Sequence, residues 1–205
     1  YTSGHLPYYK ESMFPPMEIK DEANYYLKAM NCPHHHILYA HRPRSYRELP
    51  LRFAEYGTVY RYESSGTLSG LLRVRSLSMN DAHIYCTPQQ LRKEITATFN
   101  LTLDYYRLFR FEDVKVRLST HDPKNKEKFV DNPEMWNYSE NLLREVIDEL
   151  KVDYVLGEGE AAFYGPKLDF MATDSMGREH QVATIQLDMN ITERFDLVCT
   201  NEKGE

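Results

Sequence analysis

The sequence predicts an α+β fold in which helices flank an antiparallel β-sheet. Three observations carry this expectation: two amphipathic segments with complete helix-start signals, several short runs that alternate apolar and polar residues, and no strand–helix–strand repetition of the kind that builds a doubly wound parallel sheet. The 205 residues can bury one sizeable core; 41% are hydrophobic and 27% charged, with 16 Tyr and 9 Phe. A single domain over 1–205 is the simplest reading, because no repeat, low-complexity tract or Gly/Ser linker divides the chain.

The elements follow in order. Cys32-Pro33 can open a helix with proline in its first turn, which fans His34, His35 and His36 around the axis so that all three cannot meet one ion. Residues 58–63 and 71–77 alternate as a strand pair across 64–70, a loop rich in turn formers. Thr87, Pro88 and Gln90 form an N-cap, a first-turn proline and a capping-box partner, and Leu91, Ile95, Phe99, Leu103 and Tyr106 continue at helical spacing. Residues 114–118 read as a strand. Asn132-Pro133 repeats the start signal, with Met135, Leu142, Val146 and Leu150 as the buried stripe. Residues 167–171 and 181–187 read as a hairpin turning at 174–177.

Composition excludes several classes. No apolar run approaches 18 residues, so no transmembrane helix is expected. A net charge of -6 argues against gripping nucleic acid through a broad basic face. Cys32, Cys86 and Cys199 are odd in number and irregularly spaced, which favours a reducing, cytoplasmic setting over a disulfide framework. The chain starts at Tyr1 rather than Met, so we expect a piece of a longer protein. No glycine-rich phosphate loop is present, and a nucleotide would have to be held by side chains.

The 58–77 pair offers such side chains. On a strand Arg61 and Glu63 share a face, as do Arg73, Arg75 and Leu77, and guanidinium forks suit phosphate oxygens. Taken alone, the same pattern describes surface ion pairs of little value. Cys32 and His83 are donors of the type zinc takes, yet each histidine alone reads more readily as a solvated or core residue than as a ligand.

The combination is more specific. Thr2-Ser3-Gly4-His5, Met30-Asn31-Cys32-Pro33-His34, Tyr60-Arg61-Tyr62-Glu63, Arg73-Val74-Arg75, Asn80-Asp81-Ala82-His83-Ile84, Phe163-Tyr164-Gly165-Pro166-Lys167 and Gln186-Leu187-Asp188 occur in that order. Over essentially the whole chain they resemble the catalytic domain of the threonyl-tRNA synthetase family, a class II aminoacyl-tRNA synthetase.

The resemblance implies an ATP-dependent activation of L-threonine to its adenylate and transfer to the 3′ end of tRNA(Thr), with Mg²⁺ on the phosphates. Cys32 and His83 would hold a Zn²⁺ whose third ligand lies after residue 205. Arg61 would clamp the α-phosphate and the amino-acid carboxylate, Glu63 would read the adenine amino group, and Arg73 would hold the outer phosphates. Lys167 would reach the α-phosphate. Asp81 would accept from the bound amino acid, with Met30 and Tyr164 walling its pocket, and Gln181 and Gln186 would line the floor. His5 would stand near the terminal ribose of tRNA.

This sequence departs from the family pattern at Leu77, where many members carry an adenine-stacking aromatic, and at Met79 and Ala29. Motifs 1 and 3 and the editing and anticodon-binding domains are not found within 1–205. The resemblance also implies a homodimer for the full-length protein and no membrane association. The competing reading is a non-catalytic, synthetase-like module that binds nucleotide, RNA or protein without turnover.

Overall fold

The computed structural model describes residues 2–111 and 113–205. Its elements are α1 (His5–Tyr9), α2 (Cys32–Ala40), β1 (Leu51–Tyr60), β2 (Ser76–Tyr85), α3 (Pro88–Leu108), β3 (Val114–Thr120), α4 (Pro133–Glu149), β4 (Tyr154–Glu158), β5 (Lys167–Thr173), β6 (Glu179–Gln186) and α5 (Asn190–Arg194), with short 3₁₀ turns between some of them. They group into two compact units, 1–85 with 192–205, and 86–191.

The second unit matches its sequence pattern closely. Its sheet runs in the order β4-β3-β5-β6. Because strand side chains alternate, one face of β3, β5 and β6 carries Val116, Leu118, Leu168, Phe170, Ala183 and Ile185. That face packs with Ile95 and Phe99 of α3 and Leu143, Val146 and Ile147 of α4. Helix α3 starts as expected, with Gln90 Oε1 accepting from the Thr87 amide at 3.0 Å. Helix α4 starts with Asn132 Oδ1 accepting from Met135 N at 3.1 Å. Its buried stripe is wider than the sequence reading, since Trp136, Leu143 and Ile147 are more deeply buried than Leu142 and Leu150.

Two features differ from expectation. Strand β4 was not foreseen; it pairs parallel to β3, so β3–α4–β4 is a strand–helix–strand crossover and this sheet is mixed. The hairpin β5–β6 turns at Asp174–Gly177 as predicted, but a bulge interrupts its register, with Phe170 opposite Ala183 and Met171 opposite Gln181.

In the first unit β1 and β2 form an antiparallel ribbon from Leu51↔Tyr85 to Tyr60↔Ser76. This is longer than the predicted pair and displaced toward both flanks. Residues 61–75 form the connection, not strands: Ser69 bridges Arg73, Gly70 takes a left-handed φ of 48°, and the Arg61 amide donates to the Arg75 carbonyl at 2.9 Å. Leu71 is 94% exposed, so the apolar pair at 71–72 has nothing to pack against and cannot hold a strand. One ribbon face carries Phe53, Glu55, Gly57 and Val59 opposite His83, Asp81, Met79 and Leu77, and the residues between them, such as Arg52, Tyr56 and Thr58, are exposed. Gly57 is required on the inner face because any Cβ there would strike the Asn31 side chain.

Candidate active site

In the first unit, α2 lays its polar face on the ribbon. Cys32 is its first residue, with Pro33 at the next position as the sequence suggested. Positions three and four residues later share its face, and these are His35 and His36, both buried. The His35 Nδ1 atom lies 2.7 Å from His83 Nδ1, while its Nε2 lies 3.1 Å from Glu55 Oε1. The His36 ring stands edge-on to His83 at 5.8 Å, and its Nδ1 lies 2.7 Å from the Tyr85 hydroxyl. Asn31, fully buried just before the helix, accepts from Lys28 Nζ at 2.8 Å and donates to Asp81 Oδ2 at 3.1 Å. Asp81 and His83 share the inner face because they are two apart on β2.

Burial is the main reason that the His83 imidazole is held below its usual range, and it pushes His5 and His36 down to about 4. These rings are neutral at pH 7, as metal ligation by imidazole requires. A thiol and a neutral imidazole are donor types zinc accepts, so Cys32 and His83 fit as part of a donor set. Among the described residues, no group of three or more His, Cys, Asp or Glu side chains could hold a metal ion.

Arg61 follows the end of β1, and its Nε donates to the Ala29 carbonyl at 3.4 Å, which ties it to the segment before Met30. The Tyr9 hydroxyl, pushed up chiefly by burial, lies in the electrostatic field of both Arg61 and Cys32. Glu63 and Arg73 approach to 3.4 Å across the loop, and Arg75 Nε donates to the Glu63 carbonyl at 2.9 Å. The Arg75 guanidinium also lies over the Tyr62 ring at 5.6 Å, so it braces the loop. Leu77 is half-buried opposite Val59. In the first unit the ribbon and its connecting loop thus carry Arg61, Glu63, Arg73, Leu77, Asp81 and His83, Cys32 opens the helix that rests on them, Met30 precedes the Asn31 that reaches Asp81, and His5 lies in the electrostatic field of His83.

In the second unit the polar face of the sheet carries Lys167 and Asp169 on β5 opposite Ser119 and Arg117 on β3. Asp169 is fully buried; its Oδ2 accepts from Ser119 Oγ at 2.7 Å, Lys167 Nζ at 2.9 Å and Arg117 Nη2 at 3.0 Å. Burial alone would raise its carboxyl, but hydrogen bonds from Ser119, Lys167 and Arg117 outweigh this and hold it below the usual range. Gly157 on β4 leaves room for the Arg117 stem, since a Cβ there would come within 2.9 Å of it. Thr184 donates to Asp169 Oδ1 at 3.0 Å and accepts from Gln181 Nε2 at 2.6 Å. Tyr164 donates to Gln186 Oε1. In a regular strand Gln181 and Gln186, five apart, would face opposite ways. The bulge adds Val182 as an extra residue and returns Gln181 to the polar face.

Sequence reading missed Asn31, His35, Glu55, Arg117, Ser119 and Asp169. Two spacings signalled some of them: His35 stands three residues after Cys32, and Lys167 and Asp169 are two apart in an otherwise apolar strand.

A family model for the class II tRNA synthetase core domain (G, H, P, S and T) matches residues 16–205, and the chain belongs to that family. Within it, the chain is 50% identical over 204 residues to Threonine--tRNA ligase of Staphylococcus aureus strain JH9, and equally to that of strain Newman. The alignment covers 100% of this chain and 32% of each relative, so the chain spans about a third of their length. Among solved structures, the RNA binding domain of threonyl-tRNA synthetase from Cryptosporidium parvum superposes with a TM-score of 0.90 at 39% identity, covering 98% of this chain and 49% of that one. A putative threonyl-tRNA synthetase from Aeropyrum pernix gives 0.81 at 38% identity, covering 96% of this chain and 45% of that one. Giardia lamblia prolyl-tRNA synthetase, at 17% identity and 0.62, shares the fold alone; it covers 99% of this chain and 34% of that one.

Proposed function

We propose that the protein carrying this chain is a threonine–tRNA ligase: it activates L-threonine with ATP to threonyl-adenylate and transfers it to the 3′ end of tRNA(Thr). The observation carrying this reading is that Asp81 and His83 share the inner face of the ribbon whose first strand leads into Arg61, with α2, the helix that Cys32 opens, resting on that face through His35, in a chain half identical to Threonine--tRNA ligase. Residues 1–205 are read as part of one catalytic domain, since a single family model runs through both compact units.

The chain's own groups take these roles. Arg61 clamps the α-phosphate and the threonine carboxylate, stabilising charge as pyrophosphate departs in line. Glu63 accepts from the adenine amino group, Leu77 gives the base an apolar neighbour, and Arg73 meets the outer phosphates with their Mg²⁺. Lys167, fixed by Asp169, reaches the α-phosphate. Asp81, oriented by Asn31, accepts from the substrate, with Met30 as its apolar neighbour in the first unit; Tyr164, Gln181 and Gln186 are the polar groups the second unit offers to threonine. His5 assists transfer at the terminal ribose. Cys32 and His83 would hold zinc, which would supply Lewis-acid recognition of the amino and hydroxyl groups of threonine; valine, lacking the hydroxyl, would be rejected by a factor on the order of 10⁴. The full-length protein is taken to be a cytoplasmic homodimer.

Threonine-dependent ATP–pyrophosphate exchange by the full-length protein tests the reading. Exchange with threonine and not valine is expected. No exchange with any amino acid would leave the non-catalytic module as the better description.

A further inference from the structure

Two buried or half-buried groups in the first unit that the roles above do not use, Glu55 and His35, form a chain that ends on His83. Glu55 on β1 and His83 on β2 share the inner ribbon face, two positions apart in register, and His35 of α2 reaches both. His35 Nε2 lies 3.1 Å from Glu55 Oε1 and His35 Nδ1 lies 2.7 Å from His83 Nδ1. Asp81 Oδ1 stands off His83 Nδ1 at 4.0 Å, beyond hydrogen-bond reach, so His35 is the partner of that nitrogen. The ring is held in place by Phe53, 5.9 Å away, and lies perpendicular to His83 at 4.7 Å.

The proton positions follow from the acceptors. A carboxylate only accepts, so Nε2 of His35 must carry a proton. A neutral His35 then has a bare Nδ1, and the short approach of the two Nδ1 atoms requires the proton to sit on His83. A neutral His83 protonated at Nδ1 has its lone pair on Nε2. Metal-bound histidines are commonly fixed in this way by an acceptor at the other ring nitrogen.

We propose that Glu55 and His35 are positioning residues for the metal ligand His83, setting its tautomer so that Nε2 is the nitrogen that binds zinc. The proposal rests on the reading of Cys32 and His83 as ligands. It assigns the middle histidine of the triplet an orienting role and not a coordinating one.

The test is zinc affinity of the full-length protein, measured by chelator competition with the fold checked by circular dichroism. Cys32→Ala is expected to lose zinc; if it keeps zinc, the ligand reading itself fails. Given that loss, Glu55→Ala and His35→Leu are expected to weaken zinc binding by roughly 10- to 100-fold. His35→Gln, which retains an acceptor toward His83, is expected to recover part of it. Zinc held as tightly in Glu55→Ala and His35→Leu as in the parent, with Cys32→Ala metal-free, overturns the proposal alone. Should His35→Leu fail to fold, Glu55, 31% exposed in its side chain, decides the question by itself.

Discussion

The two units fill their interiors differently. The second closes over Phe99, Leu118, Leu143, Ile147, Leu168 and Phe170, and its buried Asp169 and Ser119 are confined to the other face of the sheet. The first buries Asn31, His35 and His36 where its helix meets its ribbon, and among the described residues its buried apolar side chains are Tyr39, Val59, Tyr85 and Ala29. Apolar burial is close to additive in area and insensitive to direction. Buried polar groups stabilise only when each finds its partner. The second unit is accordingly held by a continuous apolar core, and the first holds its shape through specific hydrogen bonds.

Substitutions can break or sharpen this contrast. Phe170→Ala removes a fully buried ring from that core and is expected to cost about 3–5 kcal/mol in urea unfolding. A loss below about 1 kcal/mol would mean that the apolar core does not dominate the second unit. Arg61→Ala should do the opposite. Its one side-chain hydrogen bond, to Ala29, is long at 3.4 Å, so the unfolding midpoint should hardly move. Adenylate formation should fall on the order of 10²–10³-fold, as measured by pyrophosphate exchange, and a normal rate would refute the clamp role.

Asp169→Asn probes the polar face of the second unit's sheet. Removing the charge that Ser119, Lys167, Arg117 and Thr184 share is expected to cost about 1–3 kcal/mol at neutral pH. Because its folded carboxyl titrates below the unfolded value, Asp169 stabilises the fold above a pH of about 4, and that contribution is lost as pH falls further. The variant should therefore show a flatter acid limb in a stability–pH profile; an unchanged limb would place acid sensitivity elsewhere. The smallest effect is expected on the outer ribbon face, where Tyr56 is 83% exposed. Tyr56→Ser should stay within about 0.5 kcal/mol by thermal unfolding, and a larger loss would show that this face is covered.

The same contrast explains what the sequence revealed. Helices α3 and α4 and strands β3, β5 and β6 could be read because their inward positions are apolar and keep their period. The ribbon was misplaced because its inward positions include Glu55, Gly57, Asp81 and His83, so the alternation that marks a half-buried strand is absent where the site lies. Arg61, Glu63 and Arg73 were legible as a charged group, yet their place on a loop was not, since Leu72-Arg73-Val74-Arg75 alternates as a strand does. Strand β4 is short and lies at the sheet edge, with Val155 and Leu156 exposed, and this gave it little pattern to detect. The resemblance named single residues, and it passed over His35 and Asp169, whose bonds run to neighbours remote in the chain.

The extra residue in β6 sets a parity. Strip Val182 out of the chain and the ladder would run evenly from Glu179 to Gln186 with Gln181 still on the polar face, now four residues from Gln186. Keep Val182 but pair it in regular alternation, and the Gln181 amide would turn toward the helices and leave Thr184 without any charged group being touched, so the bulge, more than the composition, decides which way this amide faces.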